Sequence, residues 1–272
     1  MALLAARNAQ GVEAVTLPSA DELIPRLKET SRVDLYLDYD GTLAVFAPTP
    51  DDVLPDGTVI GLISQLADSP KVRVSIVSGR RLGHIRKLIP ISNILLAGTY
   101  GVEMQTPDGK EIHQIAYDSI RPTLDSLKPR RQELIEGKGG FYLEDKGWAL
   151  AIHARKADEK EGLQILGDAE RMLTPSLLGE HLQKIHGFRF LEIGPNNADK
   201  GHALQFLFDR FKWEDSTPIY IGDDDKDEDA FQAVNDRKGI SILVANEARE
   251  TKAQYLLNSP VDVHQWLKDA LL

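Results

Sequence analysis

The chain has 272 residues, 42% of them hydrophobic and 27% charged, enough for one large core or two smaller ones, and an α/β domain carrying an insertion is the natural expectation. A formal net charge of −10 argues against a nucleic-acid surface, which needs clustered Lys and Arg, and the absence of cysteine excludes disulfides and thiolate metal sites. No apolar run reaches the length of a membrane span, and Met1-Ala2-Leu3-Leu4-Ala5-Ala6 is too short and lacks a basic flank for a secretion signal, so we expect a soluble, cytoplasmic monomer with no membrane partner.

An amphipathic segment at residues 20–27 should pack outside the first strand. The run Val33-Asp34-Leu35-Tyr36-Leu37 reads as that strand, buried, emptying into Asp38-Tyr39-Asp40-Gly41-Thr42. Beyond Pro48, Pro50 and Pro55, a helical pattern at Val59, Ile60, Leu62, Ile63 and Leu66 leads to a second strand over 72–77, which ends at Ser78-Gly79-Arg80. A helix with Leu82, Ile85, Leu88 and Ile89 on one face precedes Ile94-Leu95-Leu96-Ala97, which ends in Gly98-Thr99-Tyr100-Gly101. Strand and helix in alternation are the signature of a parallel sheet with crossover helices.

Near residue 112 the rhythm changes. A helix bearing Leu124, Leu127, Leu134 and Ile135, with a bend at Pro129, precedes a hairpin across 141–143 and 148–152. A second helix around Leu163, Leu166 and Met172 precedes strands near 182–185 and 188–192. Helix, two strands, helix, two strands make an α+β unit of their own. The parent sheet resumes with a helix at Ala203, Leu204, Leu207, Phe208 and Phe211 and strands at 219–221 and 240–244. The expected architecture is a doubly wound, mostly parallel α/β sheet with an inserted α+β cap: residues 1–112 and 195–272 form the core, and 113–194 the cap.

Carboxylates at a strand's C-terminal end lie where open α/β sheets bind ligands. Asp38 can attack phosphorus or hold a metal, Asp40 can hand a proton to a leaving oxygen, and Gly41 lets backbone amides approach an anion. The run Gly222-Asp223-Asp224-Asp225-Lys226-Asp227-Glu228-Asp229 leaves another strand and enters a helix. Acids in a first helical turn are favoured by the helix dipole, which accounts for Glu228 and Asp229. It accounts poorly for Asp223 and Asp224 at the strand end, facing Asp38 and Asp40. Hard carboxylate oxygens without a His-rich pattern specify Mg²⁺. Lys200 would supply positive charge beside a phosphoryl group, and the Ser78 hydroxyl can donate to one of its oxygens.

These strand-end motifs, Asp38-x-Asp40-Gly41-Thr42, Ser78, Lys200 and Gly222-Asp223-x-x-x-Asp227, resemble those of the haloacid dehalogenase superfamily, with an insertion similar to its C2-type cap. Across about residues 33–250, Leu37 to Ala44, Gly222 to Phe231, and Glu144-Asp145-Lys146-Gly147 with His153 and Arg155 are similar to trehalose-6-phosphate phosphatases. That family usually has His where this chain has Tyr100, Arg-Pro where it has Gly194-Pro195, and Tyr where it has Ala154. The resemblance implies a two-step transfer in which Asp38 is phosphorylated and Asp40 serves as acid and then base. It also implies Mg²⁺ on Asp38, the Asp40 carbonyl, Asp223 and Asp227, and a phosphate cradle of Gly41, Thr42, Ser78, Gly79 and Lys200, with Asp224 a supporting acid.

In residues 148–155, side chains alternate: Trp148, Leu150 and Ile152 suit packing on the cap helices, while Ala149, Ala151, His153 and Arg155 share the other face. Together with Glu103, Glu144, Lys146 and Glu192 they form the expected site for sugar hydroxyls, closed by hinges near 112–116 and 193–197. The reading is a Mg²⁺-dependent phosphatase for a small sugar phosphate, trehalose 6-phosphate first. The alternatives are sucrose 6-phosphate or a glycosyl-3-phosphoglycerate as substrate, or a non-catalytic sugar-phosphate sensor.

Overall fold

In the computed structural model, which describes residues 17–45, 53–211, 213–247 and 249–272, the strands sort into two sheets. Met1 to Ala6, Pro48 and Pro50 lie outside the described residues. The first half supplies β1 (Val33–Leu37), β2 (Val72–Val77), β3 (Leu95–Gly98), β4 (Glu103–Gln105) and β5 (Glu111–His113), with helices α1 (Ile24–Glu29), α2 (Gly57–Asp68) and α3 (Leu82–Leu88). The middle supplies α4 (Tyr117–Ile135), β6 (Tyr142–Asp145), β7 (Leu150–His153), α5 (Glu159–Arg171), α6 (Pro175–Leu178), β8 (Leu182–Gly187) and β9 (Phe190–Pro195). The last part supplies α7 (Lys200–Arg210), β10 (Thr217–Gly222), α8 (Glu228–Asp236), β11 (Ile240–Val244), β12 (Tyr255–Leu257) and α9 (Pro260–Leu271).

The larger sheet has the order β12-β11-β10-β1-β2-β3-β4-β5, parallel from β12 to β3 and antiparallel beyond. Its central strands are buried on both faces, which is why they read as nearly unbroken apolar runs. Alternation assigns each residue to a layer. Leu35, Leu37, Ile219 and Ile221 join the cluster covered by α1, α2, α3 and α9, whereas Tyr36 and Tyr220 join the one covered by α7 and α8. The segment at 20–27 forms a single 3₁₀ turn followed by α1, and Leu23 and Leu27 pack into the first cluster.

The smaller sheet, β6-β7-β9-β8, is antiparallel throughout and has its own apolar cluster with α4 and α5. This is the inserted cap on an α/β core. Trp148, Leu150 and Ile152 face the helices as the alternation required. The hairpin β4–β5 and the C-terminal β12 and α9 are elements that the apolar pattern did not announce.

Candidate active site

β1 and β10 are parallel neighbours with Leu37 opposite Ile221, so the residues that follow them emerge side by side at the sheet's C-terminal edge. The ladder runs one residue further, the Asp38 N–H donating to the Ile221 carbonyl at 3.0 Å. Asp38 and Asp223 thereby converge, and with Asp227 they offer carboxylate oxygens that all lie within 4.8 Å of one another. Lys200 begins α7, whose first turn Asp199 caps by accepting the His202 N–H. Its Nζ stands 2.8 Å from Asp38 Oδ1 and 2.6 Å from Asp227 Oδ1.

Asp227 is fully occupied. Oδ1 accepts from Lys200 and from the Tyr220 hydroxyl, while Oδ2 accepts from the N–H groups of Asp223 at 2.9 Å and Asp224 at 3.0 Å. It therefore organises the loop that presents Asp223, and Asp223 and Asp224 are the members that line the cavity above. Tyr220 was not foreseen; the signal was its alternate position on β10, which aims it into the α7 and α8 layer beneath Asp227.

At an effective dielectric of ~20, each pair of like charges at this spacing costs roughly 3 kcal/mol. Burial is the largest cause that pushes Asp38 up to about 7, against the opposing pull of Lys200, with Asp227 adding to the rise. Burial, then Asp38 and Asp227, push Asp223 up to about 10. Burial and then Asp227 raise Asp224 as well. Burial opposes ionisation of Asp227, but the charge and hydrogen bond of Lys200 outweigh it and hold this carboxyl below its ordinary value. For Lys200, burial is likewise outweighed by Asp227 and Asp38, so its ammonium stays charged. One ammonium cannot balance four ionised acids, which is why burial and mutual repulsion favour protonation of Asp223 in the absence of a cation, and convergent hard oxygens suit a divalent one.

Gly41 adopts φ 81°, and a Cβ there would overlap the Asp223 carboxylate, so the glycine makes room for that acid. Two expected phosphate contacts are redirected. The Gly41 N–H donates to the Ala44 carbonyl at 2.7 Å, and the Thr42 hydroxyl donates to Asp223 Oδ1 at 3.3 Å. Both residues shape the acidic cluster. Ser78, one residue past β2, is buried and its Oγ accepts the Arg80 N–H at 3.1 Å, which leaves its own proton to donate. Arg80 was overlooked as a site residue although it follows Ser78-Gly79 at the same edge. Its guanidinium holds Asp40 through two bonds of 2.7 Å.

Above this edge lies a cavity of ≈ 840 Å³ between core and cap. Asp38, Asp40, Gly79 and Lys200 line its floor, and Glu144, Lys146, His153 and Arg155 line its cap side. His153 Nε2 is 3.0 Å from Glu144 Oε2. Burial works against the Glu144 carboxylate, but the His153 hydrogen bond and the Lys146 charge prevail and hold its pKa down. Lys146 is buried, donating to Glu192 Oε2 at 2.7 Å and to the Gly79 carbonyl at 3.2 Å. Glu192 sits behind Lys146, not on the cavity wall, and among the described residues its Oε1 has no hydrogen-bond partner. Glu103 departs from expectation: its Oε1 accepts from the Leu82 N–H at 2.7 Å and the Thr99 hydroxyl at 2.8 Å, and it does not line the cavity. Being on β4, beside the start of α3, it caps that helix.

A buried carboxylate at the end of the central parallel strand, beneath a cavity roofed by an inserted α+β unit, is the arrangement of haloacid dehalogenase-type phosphohydrolases, and the chain is an enzyme of that class, a phosphoric monoester hydrolase. The family model described as trehalose-phosphatase matches residues 36–261. Trehalose-phosphate phosphatase B of Arabidopsis thaliana is 29% identical over 271 residues, covering 93% of this chain and 71% of the plant protein. The C-terminal domain of a Candida albicans trehalose-6-phosphate phosphatase superposes with a TM-score of 0.82 at 22% identity, covering 94% of this chain and 99% of the other. The C-terminal domain of a Candida albicans trehalose synthase regulatory protein shares the fold with a TM-score of 0.75 at 13% identity, covering 92% and 98%. The chain belongs to the trehalose-phosphatase family. Among the described residues no helix is long and apolar enough to cross a membrane.

Proposed function

We propose that the enzyme is a Mg²⁺-dependent phosphatase that hydrolyses trehalose 6-phosphate to trehalose and phosphate. The observation that carries this reading is the convergence of Asp38, Asp223 and Lys200 beneath a cavity whose cap side bears Glu144, Lys146, His153 and Arg155. Core segments 1–112 and 195–272 and cap 113–194 would move about hinges near 112–116 and 193–197, and the protein would act in the cytoplasm as a monomer.

A carboxylate oxygen of Asp38 attacks phosphorus, forming an O–P bond to the protein as the bond from phosphorus to the sugar oxygen breaks, and Asp40 delivers its proton to that oxygen. Water then attacks the phosphoryl group, Asp40 accepts its proton, and Asp38 is released with inorganic phosphate. The Ser78 hydroxyl and the Lys200 ammonium hold the phosphoryl oxygens in place, with the Gly79 loop beside them. Asp38, the Asp40 carbonyl and Asp223 would hold Mg²⁺, with Asp227 and Asp224 behind them. The ion supplies positive charge for the phosphoryl oxygens. On the cap, Glu144, Lys146, His153 and Arg155 would take sugar hydroxyls while closure excludes bulk water.

Phosphate release from a panel of glycosyl phosphates tests the substrate, and trehalose 6-phosphate should have the highest kcat/KM. Preference for sucrose 6-phosphate or a glycosyl-3-phosphoglycerate would replace the substrate within the same chemistry. Asp38→Asn should abolish turnover while the protein stays folded, and sustained turnover would refute the covalent route. A non-catalytic sensor should have lost a nucleophile, acid or metal ligand, and Asp38, Asp40, Ser78, Lys200 and Asp223 are all present.

A further inference from the structure

Lys226 lies between Asp223 and Asp227, in the single turn of the acidic loop, yet its side chain leaves the acids and reaches toward the cap. Its Nζ stands 3.9 Å from the centroid of the Phe190 ring, on β9, and donates to the Tyr100 hydroxyl at 3.0 Å. Tyr100 follows β3 of the core but packs in the cap's apolar cluster. One ammonium thus touches both halves of the molecule inside the cavity, which all three residues line. The default place for a lysine ammonium is bulk water, and fixing so long a side chain costs rotamer entropy. An aromatic face and a phenol oxygen offset that cost.

Both partners are held in place. The Phe190 ring has its room because residue 187 is glycine: a Cβ there would overlap it. On the cap side Phe190 stacks on His153, centroids 5.6 Å apart and planes 20° apart. Tyr100 has φ 55°, after Thr99 with φ 49°, a left-handed pair that non-glycine residues seldom adopt and that surrounding contacts must enforce. Glu103 provides one such contact by accepting the Thr99 hydroxyl.

Among the cations that the core lends to the cavity, the charge pattern singles out the same residue. Arg80 is paired with Asp40, Lys200 with Asp38 and Asp227, and Arg249 with Asp225 and Glu228. Among the described residues no carboxylate lies within ion-pair distance of Lys226, and the Tyr100 oxygen is its one hydrogen-bond acceptor. An ammonium has three donors, so N–H groups remain for a ligand in the cavity.

We propose that Lys226 is a specificity-determining residue: anchored on Phe190 and Tyr100, its ammonium donates to a hydroxyl oxygen of the sugar and ties recognition of the leaving group to the loop that carries Asp223. This rests on the sugar-phosphate reading above, and the experiment separates the two. kcat and KM are measured for wild type, Lys226→Met and Lys226→Arg with trehalose 6-phosphate and with p-nitrophenyl phosphate, which has no sugar hydroxyls. In Lys226→Met the ratio of the two kcat/KM values should fall about tenfold, the scale of one charge-assisted hydrogen bond, chiefly through KM for the sugar phosphate. Lys226→Arg, which can still stack and donate, should recover part of it. Phe190→Leu, which removes the ring but keeps the apolar bulk, should lower the ratio in the same direction and serves if Lys226→Met does not fold. An unchanged ratio in a wild type active on sugar phosphate, or a parallel loss on both substrates, overturns the role of Lys226 alone. A wild type inert toward every sugar phosphate overturns both readings.

Discussion

Arg80 and Asp40, forty residues apart in the chain, are joined as a fork: Nε to one carboxylate oxygen and Nη2 to the other, each at 2.7 Å. Arg80 is buried and Asp40 only partly so, and the guanidinium lies 5.8 Å from the Tyr39 ring centroid. The fork ties the loop after β1 to the loop after β2 and fixes the orientation of Asp40. Arg80→Ala should lower kcat for a sugar phosphate about 10- to 100-fold with a smaller change in KM, since an acid misplaced by an ångström loses that much. Arg80→Lys should recover little, because an ammonium cannot form the fork. Steady-state kinetics on both variants decide it, and an unaltered kcat would show that Asp40 is positioned without Arg80.

Gly41→Ala places a methyl group where the Asp223 carboxylate now sits and forces φ 81° on a residue that disfavours it. The backbone term alone is about 1–2 kcal/mol. Displacement of Asp223 should raise the Mg²⁺ concentration needed for half-maximal activity by an order of magnitude or more. A Mg²⁺ titration of phosphate release checks this, and an unshifted titration would mean that Asp223 does not depend on the open space at Gly41.

The parallel strands and the loops that follow them were legible because strands buried on both faces leave continuous apolar runs, and functional residues collect at their C-terminal ends. Hairpin β4–β5 was not, since Glu103-Met104-Gln105 and Glu111-Ile112-His113, the last two strands of the sheet, are short and mostly polar. The alternation that sorted Trp148 and Leu150 from His153 and Arg155 came from strand geometry alone, and the cavity keeps that division. Nothing local distinguishes Glu103, which caps α3, from Glu144, which faces the cavity. Nor does the sequence say that Arg80 finds Asp40 or that Lys226 turns toward Phe190, because those pairings depend on how distant loops and the cap meet.

Asp223 illustrates a site arranged for function at the expense of stability. It is partly buried among Asp38, Asp224 and Asp227, with Thr42 donating to it and Lys200 bonded to its neighbours. Asp223→Asn keeps the shape of that cluster while removing the cost of burying this carboxyl beside other acids, which holds it protonated far above its ordinary range when no cation is bound. In the presence of chelator the variant should melt several degrees higher than wild type, on the order of 1–2 kcal/mol, and it should have no measurable turnover with Mg²⁺. Chelation of the wild type should likewise stop turnover, and Mg²⁺ should restore it. Thermal melts with and without chelator, alongside phosphate release, test the pair of effects. A lower melting temperature for the chelated variant would contradict the charge argument.

Asp145 extends the same kind of reasoning to the cap. It accepts from Arg121 at 2.7 and 2.8 Å, from Lys128 at 2.8 Å and from the Gly147 N–H at 2.9 Å, closing the turn that presents Lys146 to the cavity. The Arg121 hydrogen bonds are the largest cause, and although burial opposes them its carboxyl is held well below the usual carboxylate range. A folded pKa lower than the unfolded one, about 3.9, means that the ionised form stabilises the fold. That contribution is fully present above pH ~4 and declines as pH falls toward the folded value. Because the group is partly exposed, solvent screening limits the contribution to about 1 kcal/mol. Asp145→Asn should therefore lower the urea midpoint at pH 7 and raise KM for the sugar phosphate as the Lys146 turn loosens. Its difference from wild type should shrink below pH 4, and a difference that persists undiminished there would assign the effect to packing in place of charge.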